Sequence, residues 1–178
     1  MPKKTIDIPP RDLTVETRTR GGLNVRMRPA TPADRDALAT FFAGLSPEDL
    51  RHRFLASLKA VDDRQLTRMT RNDGGPDMTF LSCDAAEGAI LAVATLATGL
   101  DAARAEIAVS VRSDLKGKGL SWSLLQHVLT HARAHGIKVV ESVETADNHP
   151  ALDLEREMGF TIRPVSDDCG LRLAERAV

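Results

Sequence analysis

Two kinds of anion-binding group are combined in the stretch Lys116-Gly117-Lys118-Gly119. Glycine lets backbone N–H groups approach a ligand without a Cβ in the way. The apolar residues that follow, from Leu120 to Ala132, recur at helical spacing, so the stretch stands at the start of a helix. A helix start carries unsatisfied N–H groups and a partial positive charge. The arrangement favours a bound phosphate or diphosphate, and the glycines alone leave a ligand-free tight turn as the alternative.

The stretch differs from two common nucleotide-binding loops. No G-x-x-x-x-G-K-[ST] is present, and a G-x-G-x-x-G fingerprint would need glycine where Trp122 stands. The glycine spacing by itself therefore does not identify the ligand.

Strands and helices surround this stretch in a mixed order. Alternating apolar residues predict strands at 13–18, 24–28, 78–83, 89–98, 104–111, 138–143, 160–163 and 171–173. Capping residues and helical periodicity predict helices over 31–43, 46–55, 62–70, 119–135 and 148–158. This order predicts one α/β or α+β domain, mostly antiparallel, with one strand–helix–strand crossover. We expect residues 1–20 to form an N-terminal extension and residues 21–178 to form the domain.

Composition restricts the class of partner. The chain has 178 residues, of which 42 % are apolar and 28 % are charged, and its net charge of −1 provides no field that attracts nucleic acid or an anionic membrane. Its two cysteines have no paired spacing and predict neither a disulfide framework nor a zinc site. No apolar segment is long enough to span a bilayer. We expect a cytoplasmic protein that binds neither nucleic acid nor membrane, and the oligomeric state stays open.

The segment from Lys116 to Ser121 resembles the loop that binds the acyl-CoA diphosphate in the GNAT acetyltransferase superfamily, whose pattern is Q/R-x-x-G-x-G/A. Lys116 stands in place of Gln or Arg, and Ser121 stands in place of the small last residue. Asn148, with a following helix that ends in Met158-Gly159-Phe160, is similar to the N…GF segment of the same superfamily. The resemblance extends from Val25 to Arg163.

A narrower likeness, to the acetyltransferase domain of bacterial protein lysine acetyltransferases, is carried by the segment FFAGLSPEDLRHRF and by residues 105–160. It implies a GNAT fold, in which helices flank a mixed, mostly antiparallel sheet of about six to seven strands. It also implies direct transfer of an acetyl group from acetyl-CoA to an amine. A protein lysine side chain is the implied acceptor, for example on an acyl-CoA synthetase-like enzyme. A small-molecule amine is one alternative, and a module that binds acyl-CoA without catalysis is another.

The resemblance also assigns roles to individual residues. Glu106, on the strand that precedes the loop, becomes the general base, with a solvated sheet face as the alternative. The backbone N–H near Val109 becomes the oxyanion donor. In many relatives a tyrosine protonates the leaving thiolate, but this chain has no tyrosine and Glu155 occupies the matching position. The implied cofactor-binding residues are Ile107, Ala108, Val109 and Val111 along the pantetheine arm, Lys116, Gly117, Lys118, Gly119, Leu120 and Ser121 around the diphosphate, and Asn148.

Two further groups of residues have ambiguous roles. His127, His131 and His135 lie four residues apart, and we expect a solvated helix face there rather than a metal site. We expect no metal elsewhere in the chain. Arg51, His52 and Arg53 predict either a polar helix face or a surface that steers an acidic substrate.

Overall fold

The structure, a computed structural model, describes residues 13–57, 59–71, 73, 75–165 and 168–178, without the side chains of residues 168 and 169. Within these residues, eight strands form one sheet. They are β1 (Val15–Arg18), β2 (Asn24–Pro29), β3 (Met78–Asp84), β4 (Ile90–Thr98), β5 (Arg104–Val111), β6 (Val139–Thr145), β7 (Thr161–Val165) and β8 (Asp168–Ala177). Their order in the sheet is β1-β2-β3-β4-β5-β6-β8-β7. Neighbouring strands are antiparallel except β5 and β6, which are parallel.

Five α-helices lie within the same residues: α1 (Arg35–Ala43), α2 (Pro47–Phe54), α3 (Asp63–Thr70), α4 (Leu120–Ala134) and α5 (His149–Glu157). Their starts follow from sequence signals. Ser46 Oγ accepts a hydrogen bond from the Asp49 N–H at 3.1 Å at the start of α2, with Pro47 in the first turn. Asp62 and Gln65 form a capping box at the start of α3. None of these helices is long and apolar enough to cross a membrane.

Two apolar clusters lie on opposite faces of the sheet. Helix α4 packs on one face, where Phe80, Leu124 and Leu129 are buried. Helices α1 to α3 cover the other face, where Phe42 and Leu81 are buried. Phe80 and Leu81 are adjacent in β3 and point to opposite faces, as strand geometry requires. The central strands are therefore apolar on both sides, and the site lies where that packing is interrupted.

The interruption lies between β5 and β6. The two strands pair in register at only three positions, of which Glu106 opposite Glu141 is the last. Beyond that point β5 continues to pair with β4, and β6 continues to pair with β8. The strands follow different partners and separate, so that a cleft opens between them.

The predicted mixed, mostly antiparallel sheet flanked by helices is confirmed, but it has eight strands instead of six to seven. Residues 15–18, which we assigned to an extension, form β1 and pair with residues 24–27 of β2. Strand β8 spans ten residues, more than the predicted 171–173, because it pairs with β6 on one side and β7 on the other. The remainder of the predicted extension, residues 1–12, lies outside the described residues.

Candidate active site

The cleft between β5 and β6 has a volume of about 880 Å³. The diverging strands form two of its walls, and α5 adds to the β6 side. The loop between β5 and α4 closes one end. Helix α2 lies across the opening and contributes Asp49, His52 and Arg53 to the lining.

The glycine loop has the backbone conformation of an anion cradle. Gly117 and Gly119 have φ values of 75° and 77°, which residues with a side chain rarely adopt. The N–H of Ser123 donates to Gly119 O at 3.1 Å as the first hydrogen bond of α4, so the amides of residues 120–122 have no partner within the helix. A Cβ at Gly117 would meet nothing within 4 Å. This open space beside helix-start amides fits a diphosphate.

The turn between β1 and β2 supports this loop from behind. The Thr19 hydroxyl donates to Lys118 O at 2.7 Å, and the Gly21 N–H donates to the same oxygen at 3.1 Å. A Cβ at Gly21 would lie 2.5 Å from that oxygen, so only glycine permits the contact. Beside it, the Arg20 guanidinium lies 3.4 Å from the centre of the Trp122 ring. The turn thus places Arg20, which is ion-paired with Glu157 at 2.7 Å, at the loop end of the cleft, which we did not predict.

The predicted diphosphate-binding residues occupy different environments. Gly117, Gly119 and Ser121 line the cleft. Lys116 also lines it, but its ammonium forms an ion pair with Asp49 of α2. Leu120 lies at the cleft wall and is buried in the apolar cluster under α4. The Lys118 side chain is exposed and outside the lining, although its carbonyl is the anchor of the loop.

The predicted pantetheine-binding residues form the β5 wall of the cleft. Ile107, Val109 and Val111 belong to or pack against the apolar cluster under α4, whereas Ala108 lies on the opposite face. Their backbone has a strand partner on the β4 side only, because pairing with β6 has ended. Alternate amide and carbonyl groups of β5 therefore face the cleft. An extended ligand can add there as another strand.

Glu106 lies at the point where β5 and β6 separate. Its side chain is exposed and lines the cleft on the face of the sheet that carries α2. Arg53 of α2 lies close enough for its positive charge to interact with the carboxylates of Glu106 and Glu144. Burial lowers the pKa of Arg53 to about 10, and the guanidinium remains charged at neutral pH.

Two carboxyl groups on the β6 side have strongly raised pKa values. Burial raises the pKa of Glu155 from 4.5 to about 7, although the Ser142 hydroxyl donates a hydrogen bond to it. Burial and the neighbouring Glu155 raise the pKa of Glu144 to about 8. Asn148 donates to Glu144 Oε2 at 2.7 Å. Asn148 also lines the cleft, so the predicted cofactor contact and the observed hydrogen bond use the same side chain.

The histidine prediction is wrong. His131 is 4 % exposed and His127 is half-buried, and both rings pack edge-on against Phe80, at 4.9 Å for His127 and 5.1 Å for His131. Only His135 is exposed. Burial lowers the pKa of His131 to about 4, so this ring is neutral and packs as an apolar group. Helical periodicity did not reveal the burial of these two histidines, because β3 contacts α4 beyond the apolar stripe that the periodicity marks.

Comparison with known proteins gives a consistent result. Residues 46–160 match the model of the acetyltransferase (GNAT) family. An acetyltransferase of Pseudomonas aeruginosa is 28 % identical over 149 residues, which cover 83 % of this chain and 80 % of that protein. An L-methionine sulfoximine/L-methionine sulfone acetyltransferase of Pseudomonas paraeruginosa is 40 % identical over 57 residues, which cover 32 % of this chain and 33 % of that protein.

A solved structure supports the fold. The GNAT domain of S. lividans PAT superposes with a TM-score of 0.87 over 96 % of this chain and 100 % of that one, at 22 % identity. The family match covers the glycine loop, Glu106 and the diverging strands that form the cleft. The chain therefore belongs to the acetyltransferase (GNAT) family and is an acyl-CoA-dependent N-acetyltransferase.

Proposed function

We propose that this chain transfers an acetyl group from acetyl-CoA directly to a primary amine, with Glu106 as the general base. One observation carries the proposal: Glu106 and the glycine loop line a single cleft, at the point where two strands separate. Acetyl-CoA supplies the acetyl group as a thioester. The protein supplies the site that binds and orients both reactants.

The residues of the loop suit the cofactor's charge. The helix-start amides and Lys116 provide donors for the diphosphate, and the ion pair of Arg20 with Glu157 lines the same end of the cleft. The exposed backbone edge of β5 offers hydrogen bonds to an extended amide-containing arm, with the N–H near Val109 as the proposed donor to the developing oxyanion. Asn148 is the proposed contact on the opposite wall.

A base is needed because free amines are protonated at neutral pH. A lysine-type amine has a pKa of about 10.4, so it must lose a proton before it can attack. Glu106 is accessible from the cleft and can accept this proton directly or through water. General base catalysis typically contributes about 10²–10⁴-fold. The departing thiol has a pKa of about 8.5 and can leave as a thiolate without a tyrosine.

Two acceptor classes compete. The sequence resemblance favours a protein lysine side chain. The partial likeness to an acetyltransferase for L-methionine sulfoximine and L-methionine sulfone favours a small amine instead. We propose the small amine, because an unpaired arginine inside the cleft suits an acceptor that carries an acid group.

The test combines cofactor binding with turnover. Calorimetry with CoA, acetyl-CoA and ATP should give heat with the two CoA compounds only. Glu106→Gln should lower the rate of acetyl transfer by about 10²–10⁴-fold with little change in acetyl-CoA affinity. Lys116→Ala should weaken acetyl-CoA binding instead. Glu141→Gln, which removes the neighbouring carboxylate on the adjacent strand, serves as the control and should leave the rate within a few-fold of wild type.

Different results would overturn different parts of the proposal. No heat with either CoA compound would exclude the cleft as an acyl-CoA site. Binding of acetyl-CoA without transfer to any amine would leave a binding module. Unchanged turnover in Glu106→Gln would show that Glu106 is not the base.

A further inference from the structure

We propose that Arg53 binds a carboxylate of the acceptor, so that the acceptor is an amino acid whose amino group faces Glu106. The inference rests on the proposed function and adds the substrate class. Arg53 is a buried arginine with few polar partners, and burying a charge costs free energy.

The guanidinium of Arg53 is largely unpartnered. A guanidinium has five N–H donors. Within the part of the chain that the structure describes, Arg53 uses one of them, in a hydrogen bond to Thr95 Oγ1 at 2.7 Å. Its Nε is buried without a partner, and no carboxylate of the described residues lies within 4 Å of its nitrogens. Other half-buried arginines are paired: Arg28 with Asp34 and Arg104 with Glu141.

Packing holds this unpaired charge in place. The guanidinium carbon lies 4.8 Å from the centre of the Phe54 ring, and the hydrogen bond to Thr95 fixes the group against β4. A basic residue near a helix end can serve only to stabilise the helix dipole. Arg53 instead points at the sheet and lines the cleft. A buried charge without an ion pair destabilises a protein, so its retention in a cleft indicates an anionic ligand.

The position of Arg53 relative to Glu106 suits a zwitterion. In the register between β4 and β5, Thr95 lies opposite Ala108 and Ala97 lies opposite Glu106. Thr95 and Ala97 are two residues apart in β4, so the anchor of Arg53 and the partner of Glu106 are about 7 Å apart along the sheet, on the same face. An amino acid carries its amine and its carboxylate on one carbon, which suits a cation and a carboxylate that line one cleft on the same face of the sheet.

The other charged groups around Arg53 leave it free for a ligand. Glu144 of β6 has a pKa of about 8, so it holds a proton at neutral pH and does not neutralise Arg53. Arg51 and His52, on the same helix, face Asp147: Arg51 donates to its carboxylate at 2.7 Å, and His52 Nε2 lies 3.5 Å from it. Among the described residues, Glu106 is then the carboxylate whose charge still interacts with Arg53, and it is the group that takes the amine.

The experiment compares each of the twenty standard L-amino acids with its α-carboxamide as acceptor, by thiol release from acetyl-CoA. The amide keeps the amine and loses the negative charge. For each amino acid that the protein accepts, we expect kcat/KM to be about 10- to 100-fold higher than for its amide, which is the contribution of a charged hydrogen bond. Arg53→Gln should remove the preference for acids, so that kcat/KM for the acids falls by about that factor more than kcat/KM for the amides. Arg51→Gln is the matched control, because Arg51 lies two residues earlier in the same helix and is paired with Asp147.

Arg53→Lys keeps the charge and guards against a folding defect. It should retain part of the preference for acids, with the acetyl-CoA affinity of wild type. Equal use of acids and amides by wild type would overturn the inference, as would an equal loss of both in Arg53→Gln. Acetylation of peptide lysines with no acetylation of free amino acids would also overturn it, together with the choice of a small-amine acceptor, but would leave acetyl transfer from acetyl-CoA with Glu106 as the base intact. No thiol release with any amine would instead refute the proposed function.

Discussion

At the scale of a residue, burial favours the protonated form of the Glu155 carboxyl group. The residue is 5 % exposed, and its Oε2 is buried without a hydrogen-bond partner among the described residues. Removing an ionised carboxylate from water is costly, so the protonated form is favoured and the pKa rises to about 7. The sequence placed Glu155 where a tyrosine was expected. The structure gives that position a group that is also neutral in slightly acidic solution.

The raised pKa of Glu155 predicts a stability that falls as the pH rises. The unfolded chain loses this proton near pH 4.5, whereas the folded chain keeps it until about pH 7. Between these values the folded state binds more protons, so the free energy of unfolding decreases with increasing pH. A shift of this size corresponds to roughly 3 kcal/mol.

Glu155→Gln tests this prediction, because glutamine retains a hydrogen-bonding side chain and does not titrate. Urea unfolding should show the variant close to wild type at pH 5 and more stable than wild type at pH 8, by up to roughly 3 kcal/mol. Glu157→Gln, an exposed site on the same helix, should show no such divergence. If Glu155→Gln tracks wild type across this range, the carboxyl is not protonated in the folded state.

At the scale of elements, the glycine loop depends on a turn that is distant in sequence. Thr19 and Gly21 both donate to Lys118 O, which holds the loop against the turn between β1 and β2. Helix α2 holds the other side through the ion pair of Asp49 with Lys116. The loop is thus fixed from two directions before a ligand arrives, which lowers the entropy cost of binding.

Gly21→Ala should disrupt this support. Its Cβ would lie 2.5 Å from Lys118 O and 2.6 Å from Lys118 Cα, and both are backbone atoms that cannot rotate away. We expect a loss of about 1–3 kcal/mol in unfolding free energy, the usual effect of overpacking, together with weaker acetyl-CoA binding in calorimetry. Gly99→Ala is the control, because a Cβ there meets nothing within 4 Å. Wild-type stability and binding in Gly21→Ala would show that the turn does not hold the loop.

At the scale of the whole molecule, buried titratable groups on the α4 side of the sheet limit stability at both ends of the pH range. The raised pKa of Glu144 has the same effect as that of Glu155, so both carboxyl groups make stability decrease as the pH rises. His131 makes the protein less stable at low pH, because burial lowers its pKa to about 4 from 6.5 for the free side chain. Between these two pH values the imidazole is protonated in the unfolded chain and neutral in the folded chain. The free energy of unfolding therefore decreases as the pH falls.

His131→Gln tests the acid side of this profile. At pH 7 the variant should be less stable than wild type, because the contact with Phe80 is lost. Between pH 6.5 and pH 4, however, its stability should fall less than that of wild type, by a difference of up to roughly 3 kcal/mol. His149→Gln, at an exposed position, is the control for thermal or urea unfolding. Parallel profiles for His131→Gln and wild type would contradict the neutral buried imidazole.

Local sequence determined the elements and the nature of the loop. Ser46-Pro47 and Asp62 specify helix starts by satisfying free N–H groups, and alternation in residues 104–111 specifies a strand. These signals act over a few residues, so they can be read without a fold. The same is true of Gly117 and Gly119, because the lack of a Cβ is a property of each residue itself. The family resemblance then connected Glu106 to this loop.

Tertiary structure decided which side chains meet. The contact of Thr19 with Lys118 spans 99 positions, and that of Arg53 with Thr95 spans 42. The periodicity of the sequence does not predict these two contacts, because they form only once the strands have assembled into the sheet and α2 has packed across it. Burial likewise decided the charge states of Glu155 and His131, since desolvation depends on all the atoms around a group and not on its neighbours in sequence.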